Sequence, residues 1–267
     1  MTPQRALAEL NSAAESVWQA VTTTLPGFAV EVLPTVDSTN TELMRRAHAG
    51  VAEPVLLVTA EQTAGRGRRG RGWVSEPGAS LTFSLGLPLQ PADWSGLSLA
   101  AGVSLAEALH PEVQLKWPND LWWDDRKLGG ILVETANVGP QRFAIIGVGL
   151  NVSTHALPEP VPDAQGVVPA RPIGLQDLPD PPALNAGQWL ARVLPALVQD
   201  VLLFERHGFA AFQSRFAQRD ALLGRPVRLS DGQEGVADGV RADGAIWLKG
   251  PLGRVPVVQH EVSVRPC

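Results

Sequence analysis

Five short apolar runs constrain the fold of this chain more than any other feature: PVLLVTAE (54–61), SLTFSLGL (80–87), VQLKW (113–117), ILVET (131–135) and RFAIIGVGL (142–150). Each is rich in β-branched or apolar residues and bounded by Gly, Pro or Asn, which reads as a strand. Between the second and third lies LSLAAGVSLAEAL (97–109), apolar on nearly every side and therefore a buried helix. Strands outnumber the helices between them, whereas a doubly wound parallel sheet needs a crossover helix after nearly every strand. The expectation is an α+β domain built on a mixed sheet.

The flanks complete the outline. Residues 1–24 place Leu7, Leu10, Ala14, Val17 and Val21 at helical spacing and stop before Pro26 and Gly27. Thr39 and Glu42 form a capping-box pattern that starts a short helix at about 40–49, following a loop at 37–39. Residues 155–183 hold eight of the 23 prolines and read as an extended surface excursion. Leu190, Leu194, Leu197, Val201 and Phe204 then mark a long amphipathic helix that Pro195 should kink, and a short helix is expected at 209–216. From Gly224 the pattern alternates at Val227/Leu229 and Val262/Val264, with Asp231-Gly232 and Asp243-Gly244 as hairpin turns, which predicts a small appended β-barrel. The domain expectation is a helical extension at 1–29, a main domain at 30–220 and a C-terminal domain at 221–267.

A formal net charge of −5 speaks against a generally phosphate-tracking surface. The single cysteine, Cys267, has no intramolecular partner, and there is neither a secretory leader nor a spanning apolar run. These features read as a cytoplasmic, non-membrane protein. The five histidines (48, 110, 155, 207 and 260) lack ligand-like spacing, so a zinc site is not expected, and no Ser/His/Asp or P-loop pattern occurs.

Against that acidic background, four arginines and four glycines fill the eight positions from Gly65 to Gly72, with Trp73 following. Glycines allow closure, arginines supply fixed-fork donors for carboxylate or phosphate, and the indole offers a flat apolar surface. By composition the loop is a lid over an anion on a planar group, a solvated basic loop, or a nucleic-acid patch. A second constellation, KWPNDLWWDDRKLGGILVE (116–134), brings Lys116, Asn119, Asp120 and Lys127 together around a turn suited to phosphoryl and carboxylate oxygens. Trp117 reads as core, Trp122 and Trp123 as filler, and residues 124–126 as a solvated turn. In IIGVGLNVS (145–153), Gly147 and Gly149 permit close approach, whether by a ligand or by a packing partner, and Asn151 ends the strand.

The order DSTN (37–40), EQTAGRGRRGRGW (61–73), KWPNDLWWDDRKLGGILVE and GVGLN (147–151) resembles the biotin protein ligases, over about residues 33–265 with RPVRL and HEVSVR near the C-terminus. The resemblance implies a mixed-sheet catalytic domain shared with lipoate ligases and an SH3-like C-terminal barrel. It also implies ATP and biotin as substrates with Mg²⁺, formation of biotinyl-5'-AMP, and transfer to a lysine of a biotin carboxyl carrier protein, an acetyl-CoA carboxylase subunit. By motif position, Ser38, Thr39, Asn40 and Gln62 would hold biotin's ureido head, and Arg66, Gly67 and Arg68 would close over biotin and adenylate. Gly130 would join the biotin contacts. Lys127 would meet carboxylate and α-phosphate, with Arg68 as the other catalytic cation. Trp73, Asn119, Asp120 and Asn151 would line the nucleotide side; Arg69 and Arg71 read as solvated charges. Metal ligands are unassigned. Bifunctional relatives carry a winged helix-turn-helix ahead of DSTN, and only 36 residues precede it here, so DNA binding is not expected. A monomer and a homodimer both remain open. The alternatives are a lipoate or octanoyl transferase of the same fold, a nucleic-acid-binding protein, and a catalytically silent biotin-binding module.

Overall fold

The structure is a computed structural model that describes residues 2–154, 170–251, 253–258 and 264–266. The expectations for His155, His260, Val262 and Cys267, and for most of the proline-rich stretch, lie outside the described residues.

Helix α1 (Pro3–Val21) begins at Thr2, whose hydroxyl accepts the Arg5 N–H, with a proline at the tolerated first helical position. Then follow β1 (Ala29–Val36), α2 (Thr39–His48), β2 (Val55–Gln62), β3 (Ser80–Pro88), α3 (Leu97–Leu109), β4 (Gln114–Lys116), β5 (Asp120–Trp123), β6 (Arg126–Val138) and β7 (Gln141–Asn151). They form a seven-stranded sheet in the order β1-β2-β3-β7-β6-β5-β4. Only β1 and β2, joined through α2, run parallel; the other neighbours are antiparallel. This is the mixed sheet that the strand-to-helix ratio requires.

Strand β1 has no counterpart in the sequence reading, which sees only a loop approaching residue 37. The reason is Pro34: it lacks a ladder donor, interrupts the pairing register and is tolerated because β1 is an edge. The helix α4 (Ala186–His207), closed at its start by the reciprocal Asn185–Gln188 capping box, continues through Pro195 as one element. Both Pro195 and Ala191, whose carbonyl loses its usual donor there, sit on the half-exposed flank of the helix. The expected short helix at 209–216 is a 3₁₀ turn (Phe209–Phe212) leading into α5 (Gln213–Ala217).

The two faces of the sheet differ, and that difference creates the site. On β3, Leu81, Phe83, Leu85 and Leu87 are completely buried and face the main core with Ile146, Val148 and Leu150 of β7. The helices α1, α3 and α4 cover that side, so the first helix is part of the central core. The alternate residues, Ser80, Thr82, Ser84 and Gly86, pair across with Asn151, Gly149, Gly147 and Ile145. They present small and polar groups to the opposite face. There α2 covers only one end, where Leu43 and Ala47 meet Val55, Leu57, Phe143 and Ile145. The other end of that face is left without a helix.

The C-terminal strands β8 (Pro226–Leu229), β9 (Glu234–Val240), β10 (Ile246–Gly250), β11 (Gly253–Val257) and β12 (Val264–Pro266) form a five-stranded antiparallel sheet in the order β11-β10-β9-β8-β12. Its turns at Asp231-Gly232 and Asp243-Gly244 place both glycines at positive φ, 93° and 80°. The sheet shares the main core through Val227, Leu229, Ala237, Ile246 and Leu248. Trp117, fully buried, donates from Nε1 to the Gly244 carbonyl at 2.9 Å.

Candidate active site

A cleft of about 780 Å³ opens on the uncovered sheet face. Its floor is Thr82, Gly147, Gly149 and Gly130, its walls are the start of α2, the glycine-arginine loop and the turn before β5, and Arg225, Val264 and Pro266 close one side. The floor glycines are there for space. A methyl group at Gly147 would lie 2.8 Å from Asn40 Cγ, and one at Gly149 would collide with the Trp73 indole.

One end of the cleft is polar and uncharged. Ser38 caps α2 by accepting the Thr41 N–H. The Thr39 backbone N–H and hydroxyl both point at Gln62 Oε1, at 2.8 and 3.1 Å. Ser84 Oγ lies 2.7 Å from Thr39 Oγ1 and 2.6 Å from Asn40 Oδ1. Asn40 donates from Nδ2 to the Leu132 carbonyl (3.1 Å) and to Glu134 Oε2 (2.9 Å). All of Ser38, Thr39, Asn40, Gln62 and Ser84 are at most 8% exposed, so this is a buried, mutually hydrogen-bonded surface. Asn40 has spent both amide protons on the protein and acts in shaping the wall.

The other end is cationic. Asp120, at the start of β5, accepts from Lys127 Nζ at 2.8 Å, and Lys116 Nζ stands 3.8 Å from its second oxygen. Burial pushes the Asp120 carboxyl up, but the ammonium charges of Lys127 and Lys116 outweigh burial and hold it below the usual carboxylate range. Lys116 also rides over the Trp122 ring at 5.0 Å. Asn119 accepts from Arg68 Nη1 at 3.3 Å and donates to the Ile131 carbonyl at 2.8 Å. Burial draws the Arg68 guanidinium below its ordinary value while Asp120 pulls it back, and it stays charged at neutral pH. Asn151 donates to the Lys127 carbonyl at 3.1 Å and thereby fixes the backbone that carries the lysine. Gly130 leaves room beside this pair: a methyl there would stand 3.3 Å from Lys127 Nζ.

The glycine-arginine loop joins the two ends. It folds back on itself through Trp73 N–H to Gly65 O (2.9 Å) and Gly67 N–H to Arg71 O (2.7 Å). Arg69 takes a positive φ of 57°. Arg66 reaches Glu134, Arg68 reaches Asn119, and Arg69 donates to Ser230 Oγ of the C-terminal segment at 2.8 Å. Arg69 and Arg71, read from sequence as solvated charges, both line the cleft, and Arg71 adds to the positive field on Asp120. Trp73 Nε1 is buried with no hydrogen-bond partner.

The structure thus gathers every candidate site residue read from the sequence motifs around one cleft. Sequence reasoning missed Ser84, Thr82 and Glu134. The small-polar alternation of SLTFSLGL signalled the first two, and Glu134 sat unremarked at the end of a motif already quoted. Trp122, read as filler, is a buried cleft wall. Asp125, read as solvated, pairs with Arg225 at the C-terminal sheet.

A family model described as the biotin/lipoate A/B protein ligase family matches residues 32–151. The chain is 36% identical over 251 residues to the bifunctional ligase/repressor BirA of Escherichia coli K12, covering 90% of this chain and 75% of that protein. It is 32% identical over 247 residues to the biotin--[acetyl-CoA-carboxylase] ligase of Paracoccus denitrificans, covering 86% and 98%. Among solved structures, a biotin protein ligase from Aquifex aeolicus in complex with biotin and ATP superposes with a TM-score of 0.74 at 27% identity, covering 89% of this chain and 99% of that one.

Proposed function

The chain belongs to the biotin/lipoate A/B protein ligase family, and on that premise we propose how its cleft divides the work of a biotin protein ligase. The enzyme activates biotin with ATP as biotinyl-5'-AMP and transfers the biotinyl group to a lysine of a carrier protein. A carboxylate oxygen of biotin attacks the α-phosphorus of ATP and pyrophosphate leaves. The carrier lysine amine then attacks the mixed anhydride carbonyl and AMP leaves.

Ser38, Thr39 and Gln62 offer neutral donors and acceptors to the ureido head, with Asn40 holding their wall. Lys127 and Arg68 stand where the carboxylate and α-phosphate meet. Two unit anions brought to 4 Å repel by about 4 kcal/mol at an effective dielectric constant of about 20, so paired cations supply the first requirement of the reaction. Asp120 aims Lys127 through their 2.8 Å ion pair. Trp73, Asn119, Asp120 and Asn151 border the nucleotide, and Arg66, Gly67 and Arg68 cover the adenylate against hydrolysis. Mg²⁺ enters with the phosphates as the salt of ATP; among the described residues no group of three His, Cys, Asp or Glu side chains gathers to hold an ion.

The carrier is the biotin-accepting subunit of acetyl-CoA carboxylase. Residues 30–220 form the catalytic domain, 221–267 the SH3-like domain, and 1–29 the helical lead. The reaction belongs to the cytoplasm; among the described residues no helix is long and apolar enough to cross a membrane. The enzyme acts as a monomer or homodimer.

The observation that carries this reading is the pairing, in one cleft, of a neutral hydrogen-bonding pocket with a cationic end under an arginine loop. Incubation with biotin, Mg·ATP and a carrier domain, followed by intact-mass analysis, tests it. One biotinyl group on one carrier lysine is expected. AMP formation with lipoate in place of biotin would overturn the substrate assignment.

A further inference from the structure

Glu134 stands where the neutral pocket meets the loop. Its Oε2 accepts from Asn40 Nδ2 at 2.9 Å, while Arg66 Nη2 sits between both carboxylate oxygens at 2.9 and 2.8 Å. The two ends of this contact differ in rigidity. Glu134 lies inside β6, paired with Ile145 in the middle of the sheet, whereas Arg66 lies in a run of alternating glycines 68 residues away in sequence. Arg66 also forms a bridge with Gly72 across the base of the folded loop, so fixing its side chain fixes the loop's root. On the pocket side Glu134 selects the orientation of the Asn40 amide. The nitrogen faces Glu134 and the Leu132 carbonyl, the oxygen faces Ser84, and Gly147 leaves the space in which that amide fits.

We propose that Glu134 is a positioning residue for the ligase reaction: through Asn40 and Arg66 it assembles the head-group pocket and the closing loop as one unit. The proposal rests on the biotin-ligase reading of the cleft. Glu134 touches no reacting atom. At side-chain exposures of 45% for Arg66 and 24% for Glu134, the pair adds little to global stability. Its effect is on how much of the time the loop root is held in place, and thus on how well biotin and the adenylate are retained.

The test is a double-mutant cycle of Glu134→Ala and Arg66→Ala with three readouts. The first is hydrogen exchange of residues 63–75 in the ligand-free protein. Each single variant raises it about fivefold, and the double variant raises it no further. The second is kinetic: Glu134→Ala raises the KM for biotin and the dissociation rate of biotinyl-adenylate about five- to tenfold, and its effect on kcat is smaller. The third is Glu134→Gln, which keeps one accepting oxygen and so falls between wild type and Glu134→Ala. Loop exchange and KM at wild-type values in Glu134→Ala overturn the proposal. So do effects of the two variants that multiply as independent sites. Failure of the underlying reading looks different: the wild type makes no adenylate, while the exchange cycle still shows coupling.

Discussion

Asp220 is the clearest place to challenge the energetics, because its carboxyl is pushed the opposite way from that of Asp120. It follows α5 at the junction where Leu115 of β4 bonds to the Arg219 carbonyl and the Ala221 N–H. Its Oδ1 accepts the Leu222 N–H at 2.9 Å, but Oδ2 is buried with no partner. Burial raises its pKa from the ordinary 3.8 to about 6, with the Leu222 and Leu223 N–H groups pulling back. A folded-state pKa above the unfolded one means that the protonated form stabilises the fold. That contribution is complete below 3.8 and is lost as pH rises through about 6. The total is about 3 kcal/mol, and about 1.4 kcal/mol of it falls between pH 5 and pH 8. Asp220→Asn stays neutral, and its carbonyl oxygen can still take the Leu222 N–H. Urea unfolding of both proteins at pH 5, 6, 7 and 8 should therefore show the variant gaining about 1.4 kcal/mol on wild type across the series. Taking the difference cancels the titration of every other group. A difference that stays flat with pH would refute the reasoning, since Asp220 would then ionise as an exposed carboxyl does.

Three further outcomes follow from the cleft. Arg68→Gly should still form biotinyl-adenylate but release it about tenfold to a hundredfold faster, the equivalent of one charge-assisted hydrogen bond of about 1.5–3 kcal/mol. Stopped-flow dissociation measures this, and an unchanged rate rejects the lid role. Gly149→Ala drives a methyl into the Trp73 ring, a misfit of about 1–3 kcal/mol. It should raise the KM for ATP about tenfold; an unaltered KM removes Trp73 from the nucleotide side. Asp120→Asn deletes the carboxylate that aims Lys127 while making the site more positive. Steady-state assays should show kcat falling about tenfold or more without a rise in the KM for ATP, and a kcat within twofold of wild type contradicts the aiming role.

Much of the site was legible because its residues are neighbours in sequence. Thr39 and Asn40 announce themselves as a helix start, one residue after the observed cap at Ser38, and Asn119, Asp120 and Lys127 as a tight turn between strands. Other parts were hidden for definite reasons. Pro34 disguised β1. Ser84 and Glu134 looked like ordinary strand residues because their role depends on which face they occupy. A slip of one residue in the β3–β7 register would turn Ser84 away from the cleft, and one in the β6–β7 register would turn Glu134 away.

The sequence by itself determined the mixed sheet, the buried α3, the positions of the turns and the presence of a mobile-composition, arginine-rich loop in an acidic chain. These are consequences of local periodicity, glycine and proline placement, and charge. The tertiary structure alone decided that the loop's arginines have different partners: Arg66 on Glu134, Arg68 on Asn119 and Arg69 on Ser230. Those partners lie 68, 51 and 161 residues away. Hydrogen bonds and ion pairs act over a few ångströms, so only the folding of the sheet and the docking of the C-terminal strands could give these three like charges distinct partners around one cleft.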